Sequence, residues 1–143
     1  MKRLSLVLSL FALLLSSCAR TGKQSSTVVL EGGRYVTFPL QLAEKSEVTM
    51  TVKVGAGKPV NTYLMNNAQL LEFVNSRKKE GFKDGVQFEY LKDLSAPSVM
   101  ECTMKALLDA GYYSIVLTPT DVAESKADEA SKVTVSVTWK GHK

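Results

Sequence analysis

Apolar and polar residues alternate along most of the chain, and this period of two is its main structural signal. The apolar positions of the successive runs are Val36, Phe38, Leu40 and Leu42; Val48, Met50, Val52 and Val54; Val86, Phe88 and Tyr90; Met100, Cys102, Met104 and Ala106; Tyr113, Ile115 and Leu117; and Val133, Val135, Val137 and Trp139. Successive side chains of a strand point to opposite faces, so each run predicts a strand with one buried face and one wet face. Such alternation is typical of antiparallel sheets.

A further strand is predicted over residues 60–65, where the pattern leaves open which face is buried. Turn signals separate the runs, among them residues 55–59 and residues 109–111. Pro39 cannot donate a hydrogen bond to a neighbouring strand, so its strand should lie at a sheet edge or contain a bulge. Seven or eight strands of this kind predict an all-β fold in which two antiparallel sheets form a sandwich.

One segment departs from the period of two and predicts a short helix over residues 68–79. Its apolar face consists of Leu70, Phe73, Val74 and Arg77, which fall at helical spacing. Asn67 is placed to cap this helix and Gly81 to end it. We expect the helix to dock over one end or edge of the sandwich. Residues 121–131 are polar and predict a long surface loop.

The first residues have the three parts of a secretory signal. Lys2 and Arg3 form a charged start, residues 4–15 form an apolar run, and Ser16 and Ser17 precede Cys18. The apolar run is shorter than the roughly 20 residues that span a bilayer as a helix. It fits the apolar core of a signal peptide, which is about 7–15 residues long.

The sequence Leu15-Ser16-Ser17-Cys18 resembles the lipobox of bacterial lipoproteins. The resemblance implies that the Cys18 thiol receives a diacylglyceryl group, that the chain is cut before Cys18, and that acyl chains such as palmitate hold it on a membrane. Ala19 follows the cysteine, and in Gram-negative bacteria this favours the outer membrane. We therefore expect a signal peptide at 1–17, a lipidated flexible tether at 18–26, and a β-sandwich domain at 27–143.

Charge and cysteine content narrow the possible partners. The chain has 18 basic and 14 acidic residues, and removing Lys2 and Arg3 with the signal leaves 16 basic against 14 acidic. This balance argues against a nucleic-acid partner. Lipidation of Cys18 leaves Cys102 as the other cysteine, so we expect no disulfide. Cys102 alternates with apolar residues and is predicted to be a small core residue rather than a reactive thiol.

The order of strands and turns is similar to that of bacterial pre-peptidase C-terminal domains and related GOLD-type sandwiches. The similar segments are residues 33–36, 48–52, 59–65, 107–116 and 133–139. The resemblance implies a jelly-roll-like sandwich that serves as an accessory or binding module. Some of those domains bind calcium, but Asp121, Glu124, Asp128 and Glu129 lack the tight ligand spacing of a calcium loop. We therefore expect no metal or other cofactor.

Candidate catalytic residues are few. His142, the single histidine, lies next to the last residue of the sequence, so a catalytic triad or a Cys–His pair would need this end of the chain to fold back into a site. One histidine with one available cysteine cannot supply a zinc site. Carboxylate pairs catalyse without histidine, and the candidates for such a pair are Glu89, Asp93, Glu101 and Asp109. They fall on outward strand positions or in turns, which argues against a shared cleft and therefore against an enzyme.

The sequence therefore predicts a lipid-anchored envelope protein whose β-sandwich is a non-catalytic module that binds a protein or a polysaccharide. Two alternatives stay open, a small carboxylate-dependent hydrolase and a purely structural envelope lipoprotein. Tyr35 and Tyr112 fall on outward strand positions. Exposed rings of this kind either form a binding surface or pack across strands, and the sequence leaves both possibilities open.

Overall fold

The computed structural model describes residues 21–31, 34–80, 88–120 and 130–141, with the side chains of 78–80 left aside. This part of the chain contains eight strands and one helix. They are β1 (Thr21–Leu30), β2 (Val36–Leu42), β3 (Ser46–Ala56), β4 (Val60–Asn66), α1 (Asn67–Glu80), β5 (Leu91–Val99), β6 (Glu101–Leu108), β7 (Gly111–Pro119) and β8 (Ser131–Gly141). The prediction of seven or eight strands with one short helix is confirmed.

The strands of the first half of the chain pair antiparallel with those of the second half in reverse order. β1 pairs with β8, β2 with β7, β3 with β6 and β4 with β5. Two further pairings, β3 with β8 and β4 with β7, join these hairpins into sheet A, of order β1-β8-β3-β6, and sheet B, of order β2-β7-β4-β5. A long hairpin wrapped into two four-stranded sheets is a jelly roll, so the predicted fold class is confirmed.

The core lies between the two sheets and consists of side chains from the apolar positions of the alternating strands. β3 and β8 show this most regularly, because every second side chain of Val48–Val54 and of Val133–Val137 is buried. Burying a valine or leucine side chain stabilises the fold by about 1.5–3 kcal/mol, so these inward rows hold the sheets together. The predicted core role of Cys102 is confirmed, since it packs against this core.

The turn between β3 and β4 matches its sequence signal. Gly57, between β3 and β4, has φ near +103°, a conformation that glycine adopts without strain. The Ser131 hydroxyl, at the start of β8, accepts a hydrogen bond from Lys58 N at 3.0 Å and donates one to Lys58 O at 2.7 Å. Pro39 lies on β2, at one edge of sheet B, as predicted from its missing N–H group.

The first strand corrects a prediction. Residues 21–26 were expected to be a flexible tether, but they pair with β8 throughout as the first half of β1. The polar sequence shows no apolar alternation because β1 is an edge strand, held largely by polar contacts. Gln24 Nε2 donates to Pro39 O at 2.7 Å, and the hydroxyl pair Thr27–Thr134 is hydrogen-bonded at 2.9 Å. Residues 21–26 therefore belong to the β-sandwich.

The fifth strand corrects a second prediction. Phe88 and Tyr90 lie before β5, outside any strand, and Val86 is outside the described residues. β5 lacks alternation because its pairing with β4 is irregular, with Leu94 and Ser98 at positive φ. A side chain there takes the place of a backbone hydrogen bond between the strands, because Ser95 Oγ accepts a hydrogen bond from Leu64 N at 2.9 Å.

The helix begins with a cap one residue earlier than predicted. Asn66 Oδ1 accepts from Gln69 N at 2.9 Å, and Gln69 Oε1 accepts from Asn66 N at 3.1 Å, so Asn66 and not Asn67 is the cap of α1. The predicted stop, Gly81, lies outside the described residues. No helix in the described segments is both long and apolar enough to cross a membrane.

The position of α1 also differs from the prediction. It packs on the outer face of sheet B, over the central strands β4 and β7, and not over an end or edge. The reason is a second apolar layer on that face, where Met65 and Val116 are fully buried beneath Phe73 of the helix. Met65 on β4 is therefore buried on the outer face while Leu64 is buried on the inner one, which explains why the buried face of β4 was ambiguous in the sequence.

Candidate functional site

The outer face of sheet B is closed by aromatic packing. An aromatic cluster made of Tyr35, Tyr63, Phe73, Phe88 and Tyr90 fills the space between α1 and the sheet. Phe73 meets the edges of Tyr35 and Phe88 with ring centroids 5.0 Å apart in both pairs. Such edge-to-face contacts stabilise packing, and the Arg77 guanidinium lies over the Phe73 ring at 5.0 Å.

The two outward tyrosines of the sequence have different surroundings. Tyr35 packs in the aromatic cluster, so cross-strand and helix packing explains it. Tyr112 is 60% exposed, and its hydroxyl accepts a hydrogen bond from Gln41 Nε2 at 3.2 Å. Burial, followed by the nearby Tyr90, raises the pKa of Tyr63 above its ordinary value, which keeps that phenol neutral inside the cluster. The structure does not bring Tyr35 and Tyr112 together into one surface.

The outer face of sheet A, in contrast, is not covered by any described element. It is called the hydroxyl face below, because half of its outward side chains are serines and threonines. They are Thr21, Ser25, Thr27, Thr49, Thr51, Thr103, Thr134, Ser136 and Thr138, together with five lysines, two glutamates, Val29 and Leu107. All of these side chains are exposed or half-buried.

The hydroxyls of this face form rows across neighbouring strands. Ser25 and Ser136 are hydrogen-bonded at 3.0 Å, and Thr51 and Thr103 at 3.1 Å, within one row that crosses all four strands. Neighbouring side chains within a row are about 4.8 Å apart, the spacing of the strands. A hydroxyl both donates and accepts, so the face offers a regular array of both functions to a polar partner.

Lysines give the hydroxyl face a positive charge. They are Lys23, Lys53, Lys105, Lys132 and Lys140, and the acids on the same face are Glu47 and Glu101. No ion pair closer than 4.0 Å joins these lysines to another residue of the described segments. The face is therefore basic, and its ammonium groups are available to a partner.

An open pocket of about 400 Å³ lies at one end of the hydroxyl face. Its lining consists of Thr21, Glu47, Thr49, Thr138, Trp139 and Lys140. Lys140 on β8 stands between Thr21 on β1 and Glu47 on β3. The pocket thus combines an ammonium group, a carboxylate and hydroxyls on the outward side of the strands, a set that suits a polar or zwitterionic group.

None of the pocket residues was predicted from the sequence to belong to a functional site. The sequence does indicate a polar outer face, because threonine, serine and lysine recur at every second position of β3 and β8. Which of these positions share a row depends on strand order, because β1, β8, β3 and β6 are far apart in sequence. The rows therefore became visible only with the sheet topology.

The missing side chain at Gly22 leaves room for the Trp139 indole, which packs against the core on the inner side of sheet A. Gly22 and Trp139 are opposite each other on β1 and β8, and a Cβ at Gly22 would overlap the Trp139 ring. We expect Gly22→Ala to displace the ring toward solvent and to lower the free energy of unfolding by about 1–3 kcal/mol. Trp139 is the single tryptophan of the sequence, so a red shift of the fluorescence emission reports the displacement.

Gly55→Ala is the matched control for this prediction. A Cβ at Gly55 would meet nothing closer than Lys132 O at 3.9 Å, so the same substitution fits there without displacing a neighbour. We expect the emission of this variant to match that of the unchanged protein. An unshifted emission maximum in folded Gly22→Ala would contradict the packing described here.

The other candidate residues do not form a catalytic group. Glu101 begins β6 and Asp109 follows its last residue, so they are about 26 Å apart at 3.3 Å per residue. Asp109 forms an ion pair with Lys45 at 3.9 Å. Glu89 and Asp93 lie just before and within β5 of the other sheet. All four acids are exposed. The described pocket contains one carboxylate, Glu47, and not the pair that glycoside hydrolysis uses.

The remaining sequence candidates concern metals and cysteines. Within the described segments, no group of histidine, cysteine, aspartate and glutamate side chains could hold a metal ion. Burial raises the pKa of the Cys102 thiol above its usual value, so little of it is the reactive thiolate at neutral pH. Cys18, His142 and the acids between residues 121 and 129 lie outside the described residues.

Comparisons with known proteins concern the architecture alone. No protein-family model matches the sequence, and no curated protein matches it. The structure is similar to the pre-peptidase C-terminal domain of a collagenase from Bacillus anthracis, with 14% identity, coverage of 80% of this chain and 88% of that chain, and a TM-score of 0.47. That domain belongs to the class that the sequence resembles.

Two further solved structures have a similar arrangement. One is PliG of Aeromonas hydrophila, a periplasmic inhibitor of g-type lysozyme, with 16% identity, coverage of 87% of this chain and 90% of that chain, and a TM-score of 0.42. The other is a mitogen derived from Yersinia pseudotuberculosis, with 10% identity, coverage of 85% and 86%, and a TM-score of 0.48. Similarities at this level carry no inference about what the chain binds.

Proposed function

We propose that the protein is a lipid-anchored lipoprotein of the cell envelope, on the outer membrane where the cell has one, and that its jelly roll is a non-catalytic binding or accessory module. The binding surface is the hydroxyl face, and the partner is an envelope protein or a polysaccharide. The observation that carries this proposal is the contrast between the two outer faces. The centre of sheet B is covered by α1, while sheet A presents uncovered rows of hydroxyls and lysines that form no ion pair with the described residues.

The chemistry of the hydroxyl face favours a polar partner. Its side chains provide many donors and acceptors, and its two large apolar residues, Val29 and Leu107, lie at opposite corners of the sheet. Such a surface lacks the central apolar patch of a permanent subunit interface. It suits a partner that is itself rich in hydroxyl, amide or acidic groups, as sugars and polar protein surfaces are.

The proposed anchor rests on the sequence before the domain. An apolar run of signal-peptide length leads directly to Leu15-Ser16-Ser17-Cys18, and lipidation through two or more acyl chains gives stable attachment. A lipid anchor restricts the domain to partners close to the membrane. The effective concentration of such partners is then high, so moderate affinity through a polar face is sufficient.

Capture of the lipidated protein from its own envelope after mild crosslinking tests the binding function. Thr103→Arg places a large charged side chain in the central hydroxyl row, and we expect it to reduce recovery of the partner about tenfold or more. Thr37→Arg is the matched control, since Thr37 is also exposed but lies on β2 in the outer face of sheet B. It should leave recovery unchanged.

The two variants separate the possible results. A single protein or polysaccharide recovered with Thr37→Arg and lost with Thr103→Arg supports the hydroxyl face as the binding surface. Equal recovery with both variants contradicts it. Recovery of no protein and no polysaccharide would contradict a binding function and favour a structural envelope lipoprotein.

A further inference from the structure

Because residues 21–26 belong to β1, little chain separates the domain from the proposed lipid on Cys18. Strand β1 begins at Thr21, three residues after Cys18. Three residues extend at most about 11 Å even when fully stretched, because each adds no more than roughly 3.6 Å. With Cys18 lipidated at the membrane surface, the first residue of β1 cannot be farther than this from the lipid headgroups.

The sheet register shows which other residues share this end of the sandwich, called the anchor end below. Thr21 is opposite Lys140, Lys140 is opposite Glu47, and Glu47 is opposite Leu107. The next row contains Lys23 and Lys105 at its two edges. The pocket also lies here, since most of its lining comes from these two rows.

Two other lysines of the hydroxyl face lie far from the anchor end. Lys53 lies in the same row as Thr27, and Lys132 lies in the same row as Val29. Thr27 and Val29 follow Thr21 by six and eight residues along β1. At 3.3 Å per residue these rows are about 20 and 26 Å from the first residue of β1. Both distances exceed twice the Debye length of about 8 Å at physiological salt, so these lysines do not sense a surface that contacts the anchor end.

We propose that the anchor end of the hydroxyl face lies directly against an anionic membrane surface, with Lys23, Lys105 and Lys140 facing the lipid headgroups. This inference rests on the proposed lipidation of Cys18. Charge complementarity supports it, because the outward side chains of the two rows include three lysines and one acid, Glu47. Around the adjacent turn, Lys45 is paired with Asp109 and Glu44 lies beside Gly141.

This orientation assigns different roles to the two ends of the hydroxyl face. The pocket at the anchor end receives a lipid headgroup, whose phosphate would meet Lys140 between the Thr21 and Thr138 hydroxyls. The far rows, with Lys53 and Lys132, and the β3–β4 turn at Gly57 point away from the membrane. A protein or polysaccharide partner therefore meets the domain at the far end.

Chemical labelling of lysines on the full lipidated protein tests this orientation. The protein is reconstituted into vesicles of phosphatidylcholine alone or of phosphatidylcholine with phosphatidylglycerol, and labelled with a membrane-impermeant acetylating reagent. On the anionic vesicles we expect Lys23, Lys105 and Lys140 to label about fivefold more slowly than on neutral vesicles, consistent with the attraction of each lysine to an anionic surface. Lys53 and Lys132 should label equally on both, and high salt should remove the difference.

The internal controls distinguish the possible failures. Flotation of the protein with both kinds of vesicle reports the lipid anchor independently of labelling, so loss of flotation contradicts the proposed lipidation. Floating protein in which all five lysines label alike, or in which Lys53 and Lys132 are the protected pair, overturns the proposed orientation. The Lys23→Gln/Lys105→Gln variant should lose the protection of Lys140, whereas Lys53→Gln/Lys132→Gln should keep it; the reverse result also overturns the proposal.

Discussion

Replacing Phe73 by alanine is expected to lower the free energy of unfolding by about 3–5 kcal/mol. Phe73 is fully buried between α1 and sheet B, where it contacts Tyr35 and Phe88 edge to face. Its removal leaves a cavity in the second apolar layer and takes away the surface on which Arg77 stacks. A loss of this size is a large fraction of the 5–15 kcal/mol that stabilises a typical domain.

Denaturant unfolding measures this effect, and the same helix provides the control. Leu71 is 62% exposed two residues before Phe73, so Leu71→Ala should change the free energy of unfolding by no more than about 0.5 kcal/mol. If Phe73→Ala were as stable as Leu71→Ala, α1 would not be packed on sheet B as described, and the closed face would be open to partners.

Replacing Cys18 by alanine is expected to move the protein from the membrane fraction to the soluble fraction. The reason is that the proposed lipid is attached to this thiol, and each buried methylene of an acyl chain contributes about 0.8 kcal/mol to membrane binding. Three charged groups at the anchor end cannot replace it, because roughly 1 kcal/mol per lysine gives weak and salt-dependent binding. Fractionation without detergent, in high salt, measures the change.

Cys102→Ala is the matched control, since it removes the other cysteine of the sequence. Cys102 packs against the core in β6, so this variant should stay in the membrane fraction with a small loss of stability. A Cys18→Ala protein that remains with membranes in high salt would contradict the lipoprotein interpretation.

Most of the fold could be predicted because the core strands obey one physical rule. In β3 and β8 each inward position is apolar and each outward position is polar, so period-two alternation locates both strands. The helix was equally visible, since Phe73 and its neighbours at helical spacing face an apolar layer. The jelly-roll order itself was implied by the resemblance to pre-peptidase C-terminal domains and not by alternation.

The strand predictions were wrong for β1 and β5, where backbone and side-chain hydrogen bonds replace apolar burial. β1 is stabilised by pairing with β8 and by contacts such as Gln24 to Pro39, which leave no apolar pattern in the sequence. β5 deviates from a regular ladder at Leu94 and Ser98, so its residues do not alternate either. An alternating pattern reports burial, and strands that bury little or pair irregularly do not display it.

The sequence could predict the residue types of the candidate site but not which residues lie together in it. The outward threonines, serines and lysines of β3 and β8 were apparent, but the pocket requires Thr21 of β1 to lie beside Lys140 of β8 and Glu47 of β3. These three residues are brought together by the wrapping of the long hairpin. No local spacing in the sequence encodes that proximity.

The proposed anchor and the proposed membrane orientation both require that Cys18 is lipidated in the cell. Mass spectrometry of the N-terminal peptide, taken from protein purified from its own envelope, measures that state. We predict a chain that begins at Cys18 and carries a diacylglyceryl group, with further acylation at the new amino group. A chain that retains residues 1–17, or one that is cut elsewhere and has an unmodified Cys18, would contradict both the anchor and the orientation that follows from it.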